Sequence, residues 1–136
     1  MSVFIDACVL ISFANPDDTC HARAKKIIGE ILDLKFGKAY TSDYVFDETV
    51  TVMLQKTKDV AMTTDFGEKI LKGEVELLKV DESVFKDAWK IFRHQHAPGL
   101  SFTDCTNLAL MDTYNIRRIA TFDQAFKKAK NAEVIC

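Results

Sequence analysis

A few acidic residues stand where the chain changes character. Ser2-Val3-Phe4-Ile5 is a short apolar run cut by Asp6, after which Ala7-Cys8-Val9-Leu10-Ile11 resumes it. Asp47 and Glu48 lie early in the segment that follows a second short strand-like run. Asp104 falls in the first turn of a helix opened by Ser101-Phe102-Thr103-Asp104, and Asp123 lies just beyond Arg118-Ile119-Ala120-Thr121. The chain has 20 Asp and Glu, so an acid as such carries no information and position decides. Carboxylates gathered in one cleft repel each other strongly at low dielectric, and such a group needs protons or a hard cation. All-oxygen donors suit Mg²⁺ or Mn²⁺. Such a cation acidifies a water, orients it for in-line attack and neutralises charge on a phosphorane-like transition state. Without a nucleophilic Cys or His among these residues, phosphodiester hydrolysis is their natural chemistry.

Positioning these acids requires alternating strands and helices. Ser2 to Ile5 reads as a buried strand and Ala7 to Phe13 as a short helix, broken by Asn15-Pro16-Asp17-Asp18. With Asp18 or Thr19 as cap, the apolar spacing of Ala24, Ile27, Ile28, Ile31, Leu32 and Leu34 predicts a helix from Cys20 to Phe36, stopped by Gly37. Lys38 to Thr41 is a second strand. Ser42 or Asp43 caps a helix over Tyr44 to Lys56, and another spans Val60 to Lys72 before Gly73. Val75 to Val80 is a third strand. Asp81 caps a helix reaching His96, with Val84, Phe85, Ala88, Trp89 and Phe92 as its apolar stripe. Ala97-Pro98-Gly99 is a loop. The capping-box helix runs to about Tyr114, Arg118 to Thr121 is a fourth strand, Gln124 to Ala129 a short helix, and Glu133 to Ile135 a last strand. This alternation predicts an α/β fold: a three-layer α/β/α sandwich around a Rossmann-like parallel sheet of about five strands. In such a sheet Asp6, Asp47 or Glu48, Asp104 and Asp123 all belong to the carboxyl edge.

Composition narrows the class. The 136 residues suit a single domain with a proper core. No apolar stretch approaches the roughly 20 residues that span a bilayer, so no membrane partner is expected. The first apolar run lacks a basic flank and is interrupted by Asp6, unlike a signal peptide. Cys8, Cys20, Cys105 and Cys136 form no CxxC pair, which argues against zinc. They read as reduced cytoplasmic thiols, two or three of them buried. A net charge of −2 does not advertise nucleic-acid binding, but a basic rim around an acidic site is compatible with it.

Each acid also has a plainer reading. Asp6 and Asp123 can cap the helices that follow them, Glu48 can face solvent, and Asp104 can be the reciprocal member of a capping box with Ser101. At Asp104 and Asp123 capping and ligation are compatible, because one carboxylate oxygen can do each. Asp112 reads as a surface residue or a partner for Arg117 or Arg118. His94 and His96, two apart, do not share a helix face and read as surface residues. Phe85, Trp89 and Phe92 read as core or a protein interface.

Val3-Phe4-Ile5-Asp6-Ala7, the segment Asp47-Glu48-Thr49, Ser101-Phe102-Thr103-Asp104 and Thr121-Phe122-Asp123 together resemble the PIN domain in order and spacing over nearly the whole chain. The compact form is similar to the VapC-type ribonuclease toxins of prokaryotes. That resemblance implies a Mg²⁺- or Mn²⁺-dependent endoribonuclease whose ligands are Asp6, Glu48, Asp104 and Asp123, with Asp47 the alternative to Glu48. Thr121 matches the hydroxyl residue that helps position the acids. It further implies an RNA substrate, a small antitoxin partner and a homodimer. Free-standing PIN proteins of RNA maturation and decay, and inactive binding modules with the same fold, are the competing readings. A haloacid-dehalogenase-type phosphatase would need a second Asp where Cys8 stands, and a receiver domain would need an acidic pair in its first loop.

Overall fold

Short strands buried on both faces carry continuous apolar runs, and Val3, Phe4 and Ile5 are buried in that way. In the computed structural model, which describes residues 1–96, 98–129 and 131–136, they form the centre of a sheet. The elements are β1 (Ser2–Ile5), α1 (Ala7–Ala14), α2 (His21–Leu32), β2 (Lys38–Ser42), α3 (Asp43–Thr57) and α4 (Val60–Lys72). They continue with β3 (Glu76–Leu78), α5 (Glu82–Arg93), α6 (Phe102–Thr113), β4 (Arg118–Ala120), a 3-10 turn (Gln124–Lys128) and β5 (Glu133–Ile135). The sheet has five strands in the order β3-β2-β1-β4-β5, and every neighbouring pair is parallel. This is the α/β class expected from the alternation of elements. Right-handed crossovers carry the connections from β1 to β3 over one face and those leading to β4 and β5 over the other. The direction of winding therefore reverses at β1 and β4, and the crevice of the fold opens at their carboxyl ends.

The register fixes what meets there. Val3 pairs with Arg118, Phe4 with Ile119 and Ile5 with Ala120, so Asp6 and Thr121 emerge side by side. On α2, Ala24, Ile27, Ile28 and Ile31 recur at helical spacing and are buried. The sixth helix is embedded more deeply: Asp104, Cys105, Thr106, Asn107, Ala109, Leu110 and Met111 are all buried.

Several boundaries differ from the sequence reading. The second helix ends at Leu32 rather than Phe36, because Leu34 takes a left-handed conformation (φ 61°) and Leu32 and Leu34 face solvent. Gly37 is thus no helix stop. It is also left-handed (φ 78°) and turns the chain into β2, whose first amide, that of Lys38, donates to the Met1 carbonyl. The third strand is only Glu76–Leu78, and α5 ends at Arg93. There Gln95 takes over, donating to the Leu100 carbonyl at 3.0 Å and accepting from its amide at 2.9 Å. Of the loop expected after it, Ala97 lies outside the described residues. The last helix is a 3-10 turn. Of the cysteines, only Cys105 is buried, while Cys8 and Cys20 are partly exposed and Cys136 is exposed. Phe85, Trp89 and Phe92 are not core but surface.

A methyl group at Gly37 would run into the Met1 carbonyl, in a conformation that side chains rarely adopt. Gly37→Ala should therefore lower stability by more than about 1 kcal/mol in a denaturant titration. An unchanged midpoint would show that this turn does not constrain the β1–β2 pairing.

Candidate active site

At the end of β1 the backbone is still tied to β4: the Asp6 amide donates to the Ala120 carbonyl at 3.0 Å. The chain then turns directly into α1, and Asp6 becomes its N-cap, accepting from the Ala7 amide at 2.8 Å on Oδ1. The same oxygen accepts from Asn107 Nδ2 at 3.1 Å. On the other oxygen, Thr121 Oγ1 donates at 2.8 Å and Cys8 Sγ at 3.6 Å. Asp6 is only 4% exposed. Burial raises its carboxyl above the ordinary value and the charge of Asp123 adds to this, while the donors from Thr121, Ala7 and Cys8 pull it back.

Thr121 links two acids, since its hydroxyl donates to Asp6 and accepts from the Asp123 amide at 3.0 Å. Asp123 in turn caps the 3-10 turn, its Oδ1 accepting from Ala125 at 2.9 Å. Asp104 is fixed by the capping box: Ser101 Oγ accepts from the Asp104 amide at 3.1 Å, and Asp104 Oδ2 accepts from the Ser101 amide at 2.9 Å. The remaining oxygen, Oδ1, has no partner among the described residues. Burial pushes Asp104 up to about 6, with the charges of Asp6 and Asp123 adding to it against the Ser101 bonds. Glu48 comes from α3, whose start is set by Ser42 capping the Val45 amide at 3.0 Å. Burial, then Asp6, Asp104 and Asp47, raise its carboxyl as well.

Asp6, Glu48, Asp104 and Asp123 line one cleft of about 370 Å³, together with Cys8, Ser101 and Gly99. Of the adjacent acids on α3, Glu48 faces the cleft while Asp47 is exposed. Wider hollows exist, one of about 760 Å³ beside Lys90, Asp112 and Arg117 and an apolar one of about 520 Å³ under α4. Convergent charge, not volume, marks the small cleft. Among the described residues no three His, Cys, Asp or Glu side chains are drawn up as a ready-made metal site. The donor chemistry nevertheless fits a hard divalent cation. The donors are anionic oxygens, partly buried and charged against one another, and Asp104 and Asp123 each hold one oxygen in a cap and keep the other.

The capping readings of Asp6, Asp104 and Asp123 are thus all correct, and each coexists with a place in the cleft. Asp112 is exposed, and Arg118 pairs with Glu133 at 3.3 Å instead. His21 Nδ1 lies 2.8 Å from the Ser12 carbonyl and ties α2 to α1. His94 is exposed on α5's end. Sequence reasoning missed two residues. Asn107 lies three residues beyond Asp104, hence on the same helix face; an amide one turn after a candidate ligand was the available signal. Its Oδ1 is buried with no partner among the described residues, which carries a polar cost. Cys8, read only as one of four reduced thiols, has its sulfur 3.4 Å from Thr121 Oγ1 and accepts from the Phe122 amide at 3.3 Å. Burial and Asp6 push its thiol up to about 11, which makes it a donor rather than a nucleophile.

Known proteins share this outline. The family model described as "PIN domain" matches residues 3–132. A protein named VapC ribonuclease from Archaeoglobus fulgidus is 23% identical over 132 residues, covering 93% of this chain and 80% of its own length. The structure of VapC20 from Mycobacterium tuberculosis, described as a sarcin-ricin loop cleaving toxin, superposes with a TM-score of 0.84 at 22% identity, covering 94% of this chain and 95% of that one. FitAcB from Neisseria gonorrhoeae gives 0.71 at 16% identity over 98% and 96% of the two chains. VapBC2 from Rickettsia felis, bound to a DNA fragment from its promoter, gives 0.71 at 12% over 99% and 98%. At these identities the structural likenesses carry the fold.

A carboxyl raised by the fold binds its proton more tightly folded than unfolded. Its contribution to stability is therefore present in acid and lost as pH rises through the folded value, about 6 for Asp104. In EDTA, Asp104→Asn, which keeps an acceptor for Ser101, should melt roughly 2–4 °C above the parent at pH 8 and level with it at pH 4. Equal melting at pH 8 would show that the acids do not strain the fold.

Proposed function

The chain belongs to the PIN domain family, and on that premise we propose that it is a divalent-metal-dependent endoribonuclease, a single domain over residues 1–136 hydrolysing RNA phosphodiester bonds. The observation that carries this reading is the convergence of Asp6, Glu48, Asp104 and Asp123 on one cleft at the switch point of the sheet. These residues would hold Mg²⁺ or Mn²⁺. When bound, that cation supplies neutralisation of phosphate charge and acidification of the attacking water. The protein's own part is to hold the acids. Asp6 is fixed by donors from Ala7, Asn107, Thr121 and Cys8, so its carboxylate plane is set before substrate arrives. Thr121 is a positioning residue, acting through Asp6 and the Asp123 backbone.

The finer reading is the toxin of a toxin–antitoxin pair, in the cytoplasm, with a small antitoxin as partner. It is supported by relatives named VapC ribonuclease and sarcin-ricin loop cleaving toxin. Free thiols on four cysteines suit a reducing compartment. No helix among the described residues is long and apolar enough to cross a membrane.

A homodimer belongs to the same reading. Phe85, Trp89 and Phe92 on α5 are 46%, 49% and 36% exposed, and all three gather around Phe102 at ring distances of 5.0, 6.4 and 6.2 Å. A contiguous apolar face of this kind suits a self-complementary contact about a two-fold axis.

The test is RNA cleavage with and without Mg²⁺ or Mn²⁺. Asp6→Asn and Asp104→Asn should each lower kcat by more than about 100-fold, beyond what loss of an outer-shell partner costs a metal site. Cleavage that survives EDTA and both substitutions overturns the reading. Sedimentation should separately find a dimer that Trp89→Glu converts to a folded monomer; a dimer that persists in the variant excludes this face.

A further inference from the structure

Four carboxylates that must admit a polyanion need a cation that does not collapse onto them. Arg23 has those properties. It is exposed, two residues into α2, and takes part in no ion pair among the described residues. Its guanidinium carbon lies 4.8 Å from the centroid of the Phe122 ring. Phe122 sits in the chain between Thr121 and Asp123, and its amide donates to Cys8 Sγ at 3.3 Å, so its backbone is held beside Cys8 and Asp123, both of which line the acidic cleft. The other end of the arginine is anchored too. Its helix is tied to α1 through His21 and Ser12, and Asp18 accepts from the Cys20 amide at 2.8 Å just before it. Stacking on an aromatic ring uses the face of a guanidinium and leaves its in-plane N–H fork free, and that fork matches a phosphate in a bidentate way.

We propose that Arg23, held on the ring of Phe122, receives a backbone phosphate of the RNA strand flanking the scissile bond. The proposal rests on the ribonuclease reading and adds the residue that offsets the site's negative charge toward substrate. Arg23 contributes to binding in the ground and transition states alike, so it acts on KM rather than kcat.

The experiment measures cleavage of a short single-stranded RNA by the full chain across a KCl series, with Mn²⁺ affinity read on the protein alone. Arg23→Gln should raise KM about 10-fold, the worth of one charge-assisted contact, with kcat and Mn²⁺ affinity unchanged. The slope of log(kcat/KM) against log salt should become shallower by about 0.7, one phosphate contact on a single strand. Arg23→Lys should recover the salt slope but only part of KM, because it lacks the fork. An unchanged KM and slope in Arg23→Gln overturns the proposal, as does a loss confined to kcat or to Mn²⁺ affinity. If the parent chain cleaves no RNA, the ribonuclease reading fails separately. Binding of the same RNA in EDTA by fluorescence anisotropy then decides on Arg23: about 10-fold weaker binding by Arg23→Gln supports it, and equal binding overturns it.

Discussion

The burial of carboxylates that also face one another is the constraint around which this structure is arranged. Asp6 is almost fully enclosed, and Glu48 and Asp104 are raised by burial and by the charges facing them. A lone buried carboxylate is too costly to persist without compensation. Compensation here is local and specific: a backbone amide, a side-chain amide, a hydroxyl and a thiol all point at Asp6. They come from three places: α1 supplies the backbone amide and the thiol, α6 the side-chain amide, and the end of β4 the hydroxyl. The site therefore exists only when the β1–β4 pairing and the docking of α6 are complete, which makes its geometry a property of the whole fold.

That dependence explains the polarity of α6. A helix so fully enclosed would ordinarily be apolar all round. Instead it carries Asp104, Thr106 and Asn107 inside. Thr106 satisfies itself by donating to the Thr103 carbonyl at 2.6 Å. Asn107 does not, since its amide group serves Asp6 while its oxygen has no partner among the described residues. An apolar residue of similar shape would spare that penalty, roughly 1–3 kcal/mol for an unmet buried acceptor. The unfavourable choices, raised carboxyls and an orphan oxygen, are concentrated at one point, while the surrounding core of Phe4, Ile119, Leu110 and Phe126 is wholly buried.

Much of this was legible in the chain because its signals are short-range. The apolar run ending in Asp6, the capping box at Ser101 and the turn residues around Asn15-Pro16 each act within a few positions, and the strand–helix alternation then limits the topology. Cap and cleft roles could both be read at Asp6, Asp104 and Asp123, since the local and long-range demands on those side chains agree. What failed was longer in range or decided by solvent. Leu32 and Leu34 continue the apolar spacing of α2 but fall beyond the core, so the helix stops where burial stops. The stripe on α5 was visible as a stripe, but periodicity does not say whether a neighbour covers it. Asn107, Cys8 and the pairing of Arg23 with Phe122 depend on residues about 100 positions apart, and single-chain spacing holds no trace of such contacts.

The cleft and the aromatic face are not independent surfaces. Both begin in the same four residues, Ser101-Phe102-Thr103-Asp104. Successive helical residues project about 100° apart, so neighbours in sequence serve different faces. Asp104 turns inward to the acids, and Phe102 turns toward Phe85, Trp89 and Phe92, with the ring of Tyr44 of α3 also 6.4 Å away. Tyr44 is in turn one helical turn before Glu48. Two of the cleft's acids are thus carried on the helices that support the aromatic cluster, and the capping box fixes both relationships at once. The acidic cleft and the aromatic cluster therefore share one support, the first turn of α6 and the first turns of α3.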